Sequence, residues 1–197
     1  MRTHPHSLLL VLFNLAYVVA FTAYYVSIGN YEFLFYILIL VMLVVATGLL
    51  HRKIGLGYPL LWSLSLWGLM HMAGGGLYIG GTKLYDLVLV PLWVAEEFTI
   101  LKFDQFVHLY LYYVVCFLLY RLVSLYPVTL PGRLLWPLIA LAATGIGALN
   151  EIAELATVLL FQNTGVGNYH NNAWDIVFNT AGSVAGVLTL AALHRRR

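Results

Sequence analysis

Apolar residues along this chain come in long unbroken runs, without the short alternation that marks an amphipathic helix or a half-buried strand. Between charged or Gly/Pro-rich breaks, these runs predict six helices, at residues 7–28, 33–50, 59–79, 103–123, 134–161 and 173–193. Each is near or above the roughly 20 residues that one bilayer crossing requires. The stretch "GGTKLYDLVLVPLWVAEEFTILK", residues 80–102, interrupts the series. Its apolar middle is too short to span and contains Pro91, which predicts an interfacial or re-entrant segment between the third and fourth spans.

Composition agrees with that pattern. The 197 residues are 62% hydrophobic and 9% charged, and the mean hydropathy of +0.88 lies far above the soluble range. About six crossings with short loops use up the length, so a soluble domain has no room and residues 1–197 are expected to form a single membrane domain. The fold class expected is all-α, a polytopic transmembrane helix bundle. The N-terminus "MRTHPHSLLLVLF" enters its hydrophobic run without an A-x-A-like cleavage site and is expected to remain as a helix. The single Cys116 excludes an internal disulfide and a cysteine metal cluster, and reads as a small buried or lipid-facing residue.

The charges orient the bundle. The net charge of +2 comes from basic residues at segment ends, which speaks for membrane topology and against a nucleic-acid partner. With six crossings, Arg2, Arg52, Lys53, Arg121, Arg133, Arg195, Arg196 and Arg197 fall on one side, and only Lys83 and Lys102 on the other. Cytoplasmic loops are enriched in Lys and Arg, so both termini are expected in the cytoplasm of a multi-pass plasma-membrane protein. Glu32, Asp86, Glu96 and Glu97 map to the opposite, outer side.

Against this apolar background a few ionisable residues stand out. "GALNEIAEL", residues 147–155, places Glu151 and Glu154 one helical turn apart inside the fifth span. Asp104 opens the fourth span and His108 follows at i+4 on the same face. His71 lies in the outer half of the third span, Asp175 opens the sixth, and His170 lies in the loop before it. All fall within about 15 Å of the outer surface at 1.5 Å per residue. A charge held in lipid costs about 2.5 kcal/mol or more even on a lenient scale, so protons, water or cations must compensate.

Carboxylates with imidazoles are the ligand set of hard-to-borderline divalent metals, zinc first, with iron or manganese as alternatives. The candidate ligands are His71, Asp104, His108, Glu151, Glu154 and Asp175, with Asn150 and Asn179 as hydrogen-bonding partners or amide ligands. Each has a plainer reading beside it. His71 could be an interhelical hydrogen-bond partner, Asp104 and Asp175 could cap helix N-termini, and His170 could be an exposed loop residue. No cap or interface accounts for Glu151 and Glu154 together. The glycines of "HMAGGGLYIGG" and the Gly182/Gly186 pair read as packing features, and the 14 Tyr and 5 Trp as interfacial belts.

Taken in order, "FDQFVHL" (103–109), "NEIAEL" (150–155) and "WDIVFNTAGSVAG" (174–186) resemble the signature of the VanZ-like membrane proteins. The similarity to YjdF-type inner-membrane proteins is closer, because they add a His-x-x-Gly helix like "HMAGG". It covers about residues 68–190. The YjdF-type pattern Asp-x-Trp-Asp-x-x-x-Asp is here Asn172, Trp174, Asp175 and Asn179, with amides in place of two carboxylates. The resemblance implies the helical architecture and the motif positions, and associates VanZ-type proteins with glycopeptide resistance.

The function expected is an intramembrane, metal-dependent enzyme acting on a lipid or lipid-linked substrate at the outer leaflet. Glu151, Glu154 and His170 are its candidate acid/base residues. A metal-activated water favours hydrolysis. Di-iron oxidation stays open, although the Glu-x-x-His pattern is absent. A serine nucleophile elbow and a basic phosphate clamp are likewise absent. The alternatives are a proton- or cation-coupled carrier, which lacks a polar path to the cytoplasmic face, and a non-catalytic binder of lipid or antibiotic. Oligomeric state is not legible.

Overall fold

The computed structural model describes residues 5–95, 99–127, 130–161, 164, 167 and 169–195. Arg2, Glu96, Glu97, Arg196 and Arg197, which entered the charge argument, lie outside the described residues. Six helices are present among those described: α1 (Pro5–Ser27), α2 (Tyr31–Ile54), α3 (Tyr58–Gly76), α4 (Phe103–Val123), α5 (Gly132–Leu160) and α6 (Tyr169–His194). All but α3 are long and apolar enough to cross a membrane, and the molecule is a multi-pass membrane protein. The third helix is the least apolar because its 19 residues include Ser63, Ser65, His71 and four glycines.

Helix ends follow from local chemistry. Asn30 accepts a hydrogen bond from the Phe33 amide at 3.0 Å and so caps α2. At the other end Gly55 adopts φ 64°, and its amide returns to the His51 carbonyl at 2.8 Å. The helix therefore runs past residue 50 through His51, Arg52 and Lys53, and the cations of Arg52 and Lys53 suit the negative end of the helix dipole.

The segment between α3 and α4 adds short strands to an otherwise all-α bundle. It forms two antiparallel ribbons, β1 (Tyr78–Ile79) with β2 (Thr82–Lys83), and β3 (Val88–Val94) with β4 (Thr99–Lys102). Gly80 and Gly81, at φ 58° and 85°, make the two-residue turn of the first ribbon, a geometry that demands positive φ. In the second, Val88, Val90 and Val94 favour extended backbone, and Pro91 falls in the irregular stretch between Val88 and Trp93 where a missing N–H is tolerated. An apolar run without polar alternation concealed these strands from a pattern reading.

The chain divides after Tyr85 into two compact units. The first contains α1, α2 and α3 around a core of Tyr17, Tyr25, Phe33, Tyr36, Leu40 and Met72. Rings of Phe33, Tyr25 and Tyr85 lie directly on the glycines at 74–76, where any side chain would collide. Asn14 links α1 to α3, donating to Ser65 Oγ at 2.7 Å and accepting from Tyr17 at 2.9 Å.

The second unit holds the ribbon β3–β4 and the helices α4, α5 and α6. Here α4 and α6 run side by side in the same direction: Gly182 lies against the Leu109 carbonyl, and one turn on Gly186 lies against the Tyr113 carbonyl and Cys116. The absence of side chains at both positions lets the two backbones approach. Cys116 is fully buried and donates to the Ser183 carbonyl at 3.3 Å. Antiparallel to this pair, α5 seats Gly147 against the Asn179 side chain.

Candidate functional site

Because α5 runs opposite to α4 and α6, the start of α4, the end of α5 and the start of α6 reach the same level of the second unit. His108, Glu154 and Asp175 are each five or six residues from the nearest end of their helix, which is a depth of about 8–9 Å. Five ionisable side chains meet there: Asp104 and His108 from α4, Glu151 and Glu154 from α5, and Asp175 from α6. The spacing of each pair explains the meeting, since i,i+4 on α4 and i,i+3 on α5 each present one face.

His108 is the centre. Its Nε2 lies 3.7 Å from Asp104 Oδ1 and 3.9 Å from Glu154 Oε1, and its Nδ1 lies 3.5 Å from Glu151 Oε1. Carboxylate oxygens of Asp104 and Asp175 and a ring nitrogen of His108 fall within 4.8 Å of one another, and the same holds for His108, Glu151 and Glu154. An ion bound tetrahedrally at about 2.1 Å keeps its ligand atoms about 3.4 Å apart, so the cluster is nearly at coordination spacing. The donor set, one imidazole with four carboxylates, suits a divalent cation.

Four asparagines hold these carboxylates. Asn150 donates to Glu154 Oε1 at 2.9 Å, and Asn172 to Glu151 Oε2 at 3.0 Å. Asn179 donates to Glu151 Oε1 at 3.1 Å while its own Oδ1 faces His108 Nδ1 at 2.9 Å. Asn171 reaches Asp175 Oδ2 at 2.7 Å and Asp104 Oδ2 at 3.3 Å. Asn150 and Asn179 are the amides singled out from the sequence. Asn172, which the sequence marks only as a position of the YjdF-type pattern, and Asn171 are further members; the signal that could have found Asn171 is spacing, since Asn171, Asp175 and Asn179 follow one another at i+4.

Burial makes the arrangement demanding. Asp175 is 1% exposed, Glu151 4% and Asn179 0%. Among the described residues, Asp175 Oδ1 is a buried carboxylate oxygen without a hydrogen-bond partner. A buried charged oxygen left unpaired is expensive, and because the Asp175 carboxylate groups with Asp104 and His108, the cluster calls for a ligand.

Two other sequence candidates have different surroundings. His71 belongs to the first unit, where Tyr85 Oη lies 2.5 Å from its Nδ1 and Trp67 stacks on its ring at 5.5 Å. His170 lies in the first turn of α6, because that helix begins at Tyr169 and not after the loop; it is half-buried, with the Tyr169 ring 5.8 Å away. On a helix, residue 170 is turned about 100° from the stripe begun by Asn171.

At the mouth of α4, Gln105 is 2% exposed and ties the ribbon to the helix. Its Oε1 accepts from the Lys102 amide at 3.1 Å and its Nε2 donates to the Thr99 carbonyl at 3.3 Å. Lys102 in turn pairs with Asp86 at 3.2 Å. The strand β4 thereby fixes where α4 starts, and so where Asp104 stands.

A family model described as "Predicted membrane protein (DUF2238)" matches residues 8–196. No curated protein and no solved structure matches the chain at a significant level.

Proposed function

The chain belongs to the DUF2238 family of predicted membrane proteins, and from that premise we propose an intramembrane, metal-dependent enzyme acting on a lipid or lipid-linked substrate. The observation that carries this reading is Asp175, whose carboxylate groups with Asp104 and His108 and whose Oδ1 is buried and unpaired among the described residues. A divalent cation supplies the missing partner and offsets the repulsion of four adjacent carboxylates. Zinc is the first choice for a site with an imidazole, with iron or manganese as alternatives. Bound there, the metal would lower the pKa of a water to about 7, and Glu154 stands close enough to hold the proton that water gives up.

The reading extends to topology and substrate. Six crossings with both termini in the cytoplasm put Arg121, Arg133 and Arg195, at the far ends of α4, α5 and α6, on the cytoplasmic face. The carboxylate cluster then faces the outer leaflet of the plasma membrane. A depth of about 8–9 Å below the helix ends is nearer to acyl ester linkages than to head-group phosphates. Among the described residues the ion pairs of the cluster all run through His108, and no Lys or Arg joins them. That charge balance favours hydrolysis of an ester or amide over phosphate chemistry, and the missing Glu-x-x-His pattern sets oxidation behind it. The likeness to VanZ-like and YjdF-type proteins, carried by the three ordered motifs, is part of the same proposal.

Metal analysis of the purified protein and of its His108→Ala and Asp175→Asn variants tests it, together with mass spectrometry of membrane lipids after incubation. One metal per chain in the wild type, its loss in both variants, and a lipid product dependent on His108 support the enzyme. A folded wild type without metal would leave a carrier or a lipid binder. Proton flux into vesicles that depends on Glu154 would then select the carrier.

A further inference from the structure

The oxygens of the cluster are not used alike. On one side of His108, Asn171 takes the Oδ2 atoms of both Asp104 and Asp175. Their Oδ1 atoms remain, one 3.7 Å from His108 Nε2 and the other buried without a partner. On the other side both oxygens of Glu151 are engaged, Oε2 by Asn172 and Oε1 by Asn179.

The Asn179 amide settles the state of the imidazole. Having turned its N–H toward Glu151, it presents only its carbonyl oxygen to His108, at 2.9 Å. Nδ1 of His108 therefore donates, and in the neutral ring the lone pair resides on Nε2. One lone pair binds one ion. The two overlapping groups of ligand atoms around His108 thus cannot both be filled through its ring.

We infer that the site holds one metal ion, bound by Asp104, Asp175 and Nε2 of His108, while Glu151 is a positioning residue that orients His108 through Asn179. The inference rests on the metal-dependent reading above and assigns the parts within it. Glu151 then resembles the carboxylates that sit behind metal-binding histidines elsewhere, here with the Asn179 amide bridging carboxylate and ring beside a direct 3.5 Å approach of Glu151 Oε1 to Nδ1. Glu154, whose Oε1 accepts from Asn150 and lies 3.9 Å from Nε2, is left beside the metal as the group free to take a proton.

Cobalt(II) titration of the full-length protein in detergent, followed by visible absorption, separates these roles. Asp104→Asn and Asp175→Asn are expected to lose stoichiometric binding. Glu151→Gln should still take up one cobalt per chain, about 10–100-fold more weakly and with shifted absorption bands, as should Asn179→Ala. The double variant Glu151→Gln/Asn179→Ala should be no weaker than the weaker single one, because both act along one path. If monodisperse Glu151→Gln loses cobalt as completely as Asp175→Asn, Glu151 is a ligand and the assignment is overturned. Should that variant not survive extraction, Asn179→Ala decides: wild-type affinity and bands there would overturn it. A wild type that binds no cobalt or zinc is a separate outcome, which removes the metal reading and this assignment together.

Discussion

Asn171 and Asp175 stand one turn apart on α6, and the amide of the first holds the carboxylate of the second at 2.7 Å while also reaching across to Asp104 at 3.3 Å. One side chain therefore keeps two mutually repelling carboxylates from two helices in a fixed orientation. Replacing it leaves both Oδ2 atoms without that donor. Asn171→Ala is expected to weaken zinc binding by about 10–100-fold with helix content unchanged, because it loosens the ligands without removing one. Equilibrium dialysis against zinc, with circular dichroism as the control, measures this.

How much of this site was legible from sequence depends on what lipid penalises. Glu151, Glu154 and His108 are conspicuous because an apolar helix gives them no reason to exist. Asn171 is not, since an amide next to a loop is ordinary. A helix predicted to begin at 173 leaves Asn171 and Asn172 in the loop, whereas α6 starts at Tyr169 and brings Asn171 to Asp175 and Asn172 to Glu151. His71 joins the candidates by its depth in the third span. Its described partners, Tyr85, Trp67, Phe33 and Tyr36, lie in its own unit. The ribbons at 78–102 escaped because seven consecutive exposed residues in β3 have no inside and outside to alternate.

The contact between α4 and α6 should be the least forgiving of substitution. A methyl group on Gly182 would run into the Leu109 carbonyl, a backbone atom that cannot swing aside. Gly182→Ala is expected to destabilise by about 1–3 kcal/mol, the usual cost of overpacking. Gly145→Ala provides the contrast: nothing lies within 4 Å of that position, and alanine favours the helix by about 0.5–1 kcal/mol. Thermal unfolding in detergent should move in opposite directions for the two variants.

In the first unit the polar link between α1 and α3 predicts a smaller effect. Asn14 donates to Ser65 Oγ and to the Leu10 carbonyl and accepts from Tyr17. Interhelical hydrogen bonds of this kind contribute about 0.6 kcal/mol on average within membranes and at most about 1.7. Asn14→Val should therefore lower stability by an amount in that range, and Ser65→Ala should add little to it in the double variant, since both remove the same bond. A double-mutant cycle in detergent reads the coupling directly.

Topology offers the most direct check on where the site faces. Asp86 precedes the ribbon on the side of α4 that carries the carboxylate cluster, and its side chain is 58% exposed. Ser124 follows the last turn of α4, three residues beyond Arg121, and is also exposed. Cys116 between them is fully buried, and a Cys116→Ser change retains a donor for the Ser183 carbonyl. In that background, Asp86→Cys should react with a membrane-impermeant maleimide in intact cells, and Ser124→Cys only after permeabilisation. Arg121, Arg133 and Arg195 share the end of their helices opposite Asp104, and basic residues are retained on the cytoplasmic side. The reverse labelling pattern would turn the carboxylates toward the cytoplasm. The proposed substrate would then have to come from the inner leaflet, while the chemistry assigned to His108 and Asp175 would stand unchanged.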